Sequence, residues 1–320
     1  MKENLIKFTH NAIFVITALI AASSPLFFIP VTSEFFEFNK FTFFFFAVVA
    51  GTILWALRMV LQKKFSFTRT PLDVPLIIFL AVFFVAALSS IDQRISIYGT
   101  AQRPWPSLLS VLTLTVFYFV ASSNIKSRKN VEAILGVLVS GTTAAALIAV
   151  ISYFGIFFPF DFAKFRSFNT LGSANSLAVL EALVIPLALS WILFSRNKIV
   201  RSLNIAAAVI ISGSLILLNF TPAYLSLLIG LLVIAAVVLK QGKVSRPAQI
   251  GVGIVVLFAC TFAAIRYIPS AADTVLVGMI AGSSKNIDTG KPLVLNQKVA
   301  WDIATSAIGK RPLFGVGPGT

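Results

Sequence analysis

A chain of 320 residues, 58% hydrophobic and only 12% charged, with a mean hydropathy of +0.94, lacks the polar residues to cover a soluble particle of its size; soluble domains carry about 25% charged residues. The formal net charge of +15 is of the kind that nucleic-acid binders carry. Here, however, the basic residues fall in short clusters between apolar runs of about twenty residues, the length that crosses a hydrocarbon core of about 30 Å. A soluble domain and a nucleic-acid binder are excluded, and continuous rather than alternating apolarity excludes a β-barrel.

Taken in order, the apolar runs predict spans near 11–31, 41–62, 73–91, 105–122, 131–155, 172–194, 200–218, 222–240 and 248–268. Lys2 and Lys7 before the first run resemble the start of a signal peptide. The run is long, lacks a convincing small-residue cleavage site and is followed by eight more, so a signal-anchor helix is the better reading. The single histidine, His10, precedes this span, and the single cysteine, Cys260, lies within the ninth, which leaves no disulfide framework.

Alternate connections carry Arg58/Lys63/Lys64/Arg69, Lys126/Arg128/Lys129, Arg196/Lys198/Arg201 and Lys240/Lys243/Arg246. With Lys2 and Lys7 this side holds 15 of the 26 basic residues. On the opposite side, Lys40, Arg94, Arg103, Lys164, Arg166 and Arg266 are nearly balanced by Glu34, Glu37, Asp92 and Asp161. The positive-inside rule therefore predicts a cytoplasmic N-terminus, and nine crossings then put 269–320 outside. The expected fold is an all-α integral membrane protein, with a bundle of about nine transmembrane helices over 1–268 and the start of a large outer loop over 269–320. No repeat of fixed period stands out, which weakens an inverted-repeat transporter.

Two outer segments hold arginines. Ser89 to Arg103 precedes the fourth span and contains Arg94, Gly99 and Arg103; Phe165 to Asn175 enters the sixth and contains Arg166, Gly172 and Asn175. Arginine on this side runs against the positive-inside bias, and a guanidinium fork matches phosphate oxygens bidentately. The plain alternative is an interfacial arginine snorkelling to lipid headgroups. Glu181, within the sixth span, implies a polar cavity or a buried partner, with a protonated, hydrogen-bonded packing residue as the alternative. Gly141 and Pro186 are isolated helix interruptions and form no matched pair. Asn219-Phe220-Thr221 has glycan-acceptor spacing, but in a tight turn at the membrane surface the match is accidental.

The tail is the most specific part. Asn296 to Gly309 predicts a short amphipathic helix with Trp301, Ala304 and Ile308 on one face, ended by Pro312. Gly315, Gly317 and Gly319 follow within five residues, which lets the backbone approach another group closely. A nucleotide site would need a preceding strand and a following helix, and neither is evident. No metal-ligand cluster, phosphate-cradling loop or Ser/His/Asp set is found, and no cofactor is expected.

Trp301 followed by Arg311-Pro312-Leu313-Phe314-Gly315-Val316-Gly317-Pro318-Gly319 resembles the O-antigen ligase and O-antigen polymerase family of bacterial envelope proteins. The segments ending in Gly99…Arg103 and Arg166…Gly172…Asn175 are similar to that family's outer-loop signatures, as is the layout of many helices followed by a large outer loop. The resemblance implies transfer of a glycan from a polyprenyl-diphosphate carrier to an acceptor lipid or glycan, on the outer face of the bacterial cytoplasmic membrane. It implies that Arg103 and Arg166 bind the diphosphate and that Gly315 to Gly319 shape the loop over the site; Arg94 and Asn175 join them as candidate substrate-binding residues. The expected partners are that carrier, the acceptor and membrane lipids, with no nucleic acid.

Many relatives carry an arginine four residues before the tryptophan, where this chain has Gln297 beside Lys298. The family's proposed catalytic histidine follows the glycine-rich motif, so the base is expected downstream of Thr320. The chain then reads as an N-terminal portion, inactive by itself. A transporter or a non-catalytic membrane scaffold is the alternative function.

Overall fold

The computed structural model describes residues 2–240 apart from 31, 33, 101 and 102, and in the tail residues 302, 305, 306, 308, 309, 315 and 317–319. Among these, all regular structure is helical: α1 (Lys2–Leu26), α2 (Glu37–Gln62), α3 (Asp73–Leu88), α4 (Gln93–Tyr98), α5 (Leu108–Asn124), α6 (Arg128–Tyr153), α7 (Ala174–Phe194), α8 (Lys198–Leu218) and α9 (Thr221–Lys240), with one 3₁₀ turn at Asp161–Ala163. Eight of these fall on the first eight predicted spans. The ninth span, Cys260, Trp301 and Ala304 lie outside the described residues. Two local differences stand out. The first helix begins at Lys2 rather than near 11, and the short α4 occupies a stretch expected to be loop.

Five helices, α1, α2, α6, α7 and α8, are long and apolar enough to cross a membrane; α3, α5 and Pro222–Val237 of α9 are apolar but shorter. Side-chain placement agrees with lipid surroundings. Large apolar groups point outward, such as Phe46, Ile53 and Val60 of α2 and Ile77, Ile78 and Val82 of α3. Small and hydroxyl residues are buried instead, among them Thr17, Ser110, Thr113, Thr115, Thr142, Ala145 and Ala146. Such residues let helix backbones approach where lipid removes the hydrophobic drive for association. Their hydroxyls are satisfied by the carbonyl one turn back: Thr17 to Ile13, Thr113 to Leu109, Thr115 to Val111 and Thr142 to Leu138, at 2.7–2.9 Å. The protein is built as a multi-pass membrane protein.

The helix ends are specified locally. Lys63 takes a left-handed conformation (φ 50°) after α2 and returns its N–H to Val60 O. Ser107 and Ser110 form a reciprocal capping box at α5. Ser173 and Asn197 cap α7 and α8 through side-chain oxygens, and Asn219 (φ 47°) turns the chain from α8 into α9.

The chain divides into two compact units: Met1–Ile134 with Gly290–Thr320, and Leu135–Thr289. In the first, α1 packs on α2, α2 on α5, and α3 and α4 on α5. Edge-on aromatic pairs bind α2 to the α5 region, Phe41 with Trp105 and Phe44 with Phe117. In the second, α7 packs on α8 and α9 around Ala178, Ala182, Ile185, Ile211, Leu215 and Leu227. The tightest approach is at Gly230 of α9, where a Cβ would lie 2.8 Å from Pro186 Cγ. Both α6 and α7 run unbroken through Gly141 and Pro186.

Candidate functional site

In the first unit, the connection between α3 and α5 folds back on itself. Asp92 caps α4 by accepting the Ile95 N–H at 3.1 Å, and Gly99 ends it with φ 79°. A side chain at Gly99 would sit 2.7–2.8 Å from the backbone of Arg103 and Pro104, so only glycine allows the chain to double back there. Thr100 and Arg103 close this turn through reciprocal backbone hydrogen bonds of 2.9 and 3.2 Å.

The glycine-rich tail docks against this connection. Ser96, fully buried, places its Oγ 2.6 Å from Ser90 Oγ and donates to the Pro318 carbonyl at 2.8 Å. Gly317 (φ 110°) lies so close that a Cβ would meet Ser90 Oγ at 2.0 Å, and one on Gly319 would meet Pro106 O at 3.1 Å. The close approach expected of these glycines therefore has a definite partner. Neither Ser90 nor Ser96 stood out in the sequence as a docking residue. A faint signal existed: a six-residue helix with a lone serine between two isoleucines, bounded by an aspartate cap and a glycine stop.

Arg94 and Arg103 belong to the connection on which the tail docks, and both are exposed. Their guanidiniums make no hydrogen bond or ion pair with any described residue, so both forks remain open to an anion. Gly315, with φ 66°, has open space where a Cβ would stand. Arg166 and Asn175 belong to the second unit, so the two predicted arginine segments divide between the units.

In the second unit, the loop before α7 is pinned by Phe168, 2% exposed and ringed by Phe158, Phe162 and Phe165 at 5.6–6.2 Å. Asn169 closes it by accepting the Leu171 N–H at 3.0 Å. Arg166 is exposed, yet it also lines a cleft of about 70 Å³ with Tyr153 of α6, Phe168, Ala174 of α7, and Ser214 and Leu218 of α8. Asn175 is exposed on the first turn of α7 and does not line the cleft. Two turns further along α7, Glu181 is wholly buried, and neither carboxylate oxygen has a hydrogen-bond partner among the described residues. Ser214 lies beside that carboxyl without reaching hydrogen-bond geometry, its own hydroxyl equally unpaired. Tyr224 of α9 also lies near Glu181 and donates to Leu215 O at 3.0 Å.

Among the described residues, no group of three or more His, Cys, Asp or Glu gathers as a metal centre. Fold and site together define a helical multi-pass membrane protein with exposed, unpaired arginines. No protein-family model, no curated protein and no solved structure matches the chain.

Proposed function

We propose that the protein transfers a glycan from a polyprenyl-diphosphate carrier to an acceptor lipid or glycan, with its N-terminus in the cytoplasm and its chemistry on the outer face of a bacterial cytoplasmic membrane. The observation that carries this reading is the Ser96–Pro318 hydrogen bond of 2.8 Å. It joins the Gly315–Gly319 segment to the connection bearing Arg94 and Arg103, which are two of the segments on which the resemblance to O-antigen ligases and polymerases rests. A base frees the acceptor hydroxyl of its proton, the oxygen attacks the anomeric carbon, and the bond to the diphosphate oxygen breaks with its electron pair. Arginines near the carrier stabilise the charge that grows on the leaving diphosphate. The resemblance puts the base beyond the glycine-rich segment, so these residues are assigned to binding and not to proton removal.

The test is glycan transfer in membranes carrying the full-length gene product and a polyprenyl-diphosphate-linked glycan. Arg103→Lys and Arg166→Lys keep the charge and lose the bidentate fork; at least a tenfold fall in turnover is expected. Unchanged turnover in both variants rejects the diphosphate clamp.

One observation favours a transporter instead, the unpartnered Glu181. Against it, α6 and α7 lack the broken midplane helices on which such sites are built.

A further inference from the structure

We propose that Glu181 is a proton-binding site, reached by water through the Arg166-lined cleft at the α7 N-terminal end of the second unit. This concerns proton binding alone and stands whether or not the transfer reading holds.

A carboxyl with no exposed surface and no hydrogen bond from any described residue is among the costliest groups a helix bundle can carry. Were packing its only duty, leucine or methionine would fill the place better. Among the described residues, the site has no positive partner. The polar groups near Glu181 on its packed neighbours are, among the described residues, the Ser214 hydroxyl of α8 and the Tyr224 phenol of α9. The basic residues of those helices, Lys198, Arg201 and Lys240, sit in the first turns of α8 and the last of α9. From α6 the cleft receives Ala149, Val150 and Tyr153, and its one charged lining residue is Arg166. A metal cation would need several oxygen ligands, and among the described residues Ser214 is the one other side-chain oxygen beside the carboxyl without a partner. The smallest cation, a proton, needs only the carboxylate.

The route is set by Ser214, which belongs to both sites. It lines the cleft and lies beside the Glu181 carboxyl, with its hydroxyl buried and unpaired. A cleft of about 70 Å³ is well above the roughly 10–15 Å³ that one water requires. Such a water needs polar neighbours, and Arg166 and Ser167 at one end with Ser214 at the other provide them. Ser152 of α6, fully buried, also has an unpaired hydroxyl one residue before the cleft-lining Tyr153.

The experiment is infrared spectroscopy of the full chain in lipid bilayers during exchange into D₂O. Glu181→Gln identifies the carboxyl C=O band by its loss, and in the parent protein that band should shift within minutes. Ser214→Leu fills the cleft and should slow the shift at least tenfold. Ala174→Leu narrows it from α7 and should act in the same direction, which keeps the test if Ser214→Leu fails to fold, as judged by the amide I band. Three results would overturn the proposal: no band lost in Glu181→Gln, equal exchange rates with open and filled clefts, or a band that appears only when sodium is withdrawn.

Discussion

Two buried carboxylates, one in each unit, are treated in opposite ways. Asp73, 8% exposed at the start of α3, accepts from the Thr70 N–H and hydroxyl at 2.9 and 2.8 Å and from Tyr118 at 3.1 Å. Glu181, fully buried within α7, accepts from nothing among the described residues. The hydroxyls repeat the contrast: Ser96 is bonded to the docked tail, and Ser214 is unpaired. Position explains part of the difference. At a helix start the connecting backbone can fold back and offer an N–H, as Thr70 does. Inside a helix every N–H already donates one turn back, so donors must come from neighbouring helices. Asp73 is thus a structural group, whereas Glu181 is retained at a cost to stability, which is the mark of a functional one.

The largest expected effect breaks the first half of that comparison. Asp73→Ala strands the Thr70 and Tyr118 donors and should lower the thermal midpoint in detergent by several degrees, followed by circular dichroism. Glu181→Met should leave the midpoint unchanged or raise it, because well-packed apolar replacements of buried charges are often neutral or stabilising. Equal falls in the two variants would erase the distinction between the carboxylates.

Next in size is Gly230→Ala, which forces a methyl to 2.8 Å from Pro186 Cγ. Overpacking of this kind costs about 1–3 kcal/mol. Gly213→Ala in α8 meets nothing within 4 Å and should stabilise by about 0.5–1 kcal/mol as a helix-interior glycine removed. Denaturant titration of the pair reads both signs.

Gly317→Ala is expected to act locally. Its Cβ cannot share space with Ser90, so the tail lifts and Ser96 loses its bond to Pro318, keeping only its contact with Ser90. Hydrogen exchange at the amides of 92–99 should quicken by about tenfold, the loss of one hydrogen bond worth roughly 1 kcal/mol or slightly more. Unchanged exchange would mean that the tail does not shield the connection. The smallest effect belongs to Arg128→Ala. Its pair with Glu132 is solvent-exposed, and such i,i+4 pairs contribute about 0.2–0.5 kcal/mol.

Much of the fold was legible because lipid imposes one simple demand, a run of apolar residues long enough to cross. That demand marks the slab and not the helix, which is why α1 starts at Lys2 well before its apolar run. The six-residue α4 was missed because it is too short to show a period, although Asp92 and Gly99 bracket it. Arg103 and Arg166 were singled out as arginines on the side that the positive-inside bias disfavours, and the tail glycines by their spacing. The docking partner of those glycines was not, since a contact between Ser96 and Pro318 leaves little trace in the residues around either one. Nor does the division of the chain at Ile134, inside the continuous helix α6.

The separation of 222 residues between Ser96 and Pro318 also has a temporal meaning. Chains grow at about 5–20 residues per second, so the connection bearing Arg94 and Arg103 leaves the ribosome roughly ten to forty seconds before the segment that covers it. Throughout that interval the buried face of Ser96 is bare. Biogenesis of the first unit is therefore finished by a segment made after the described helices of the second.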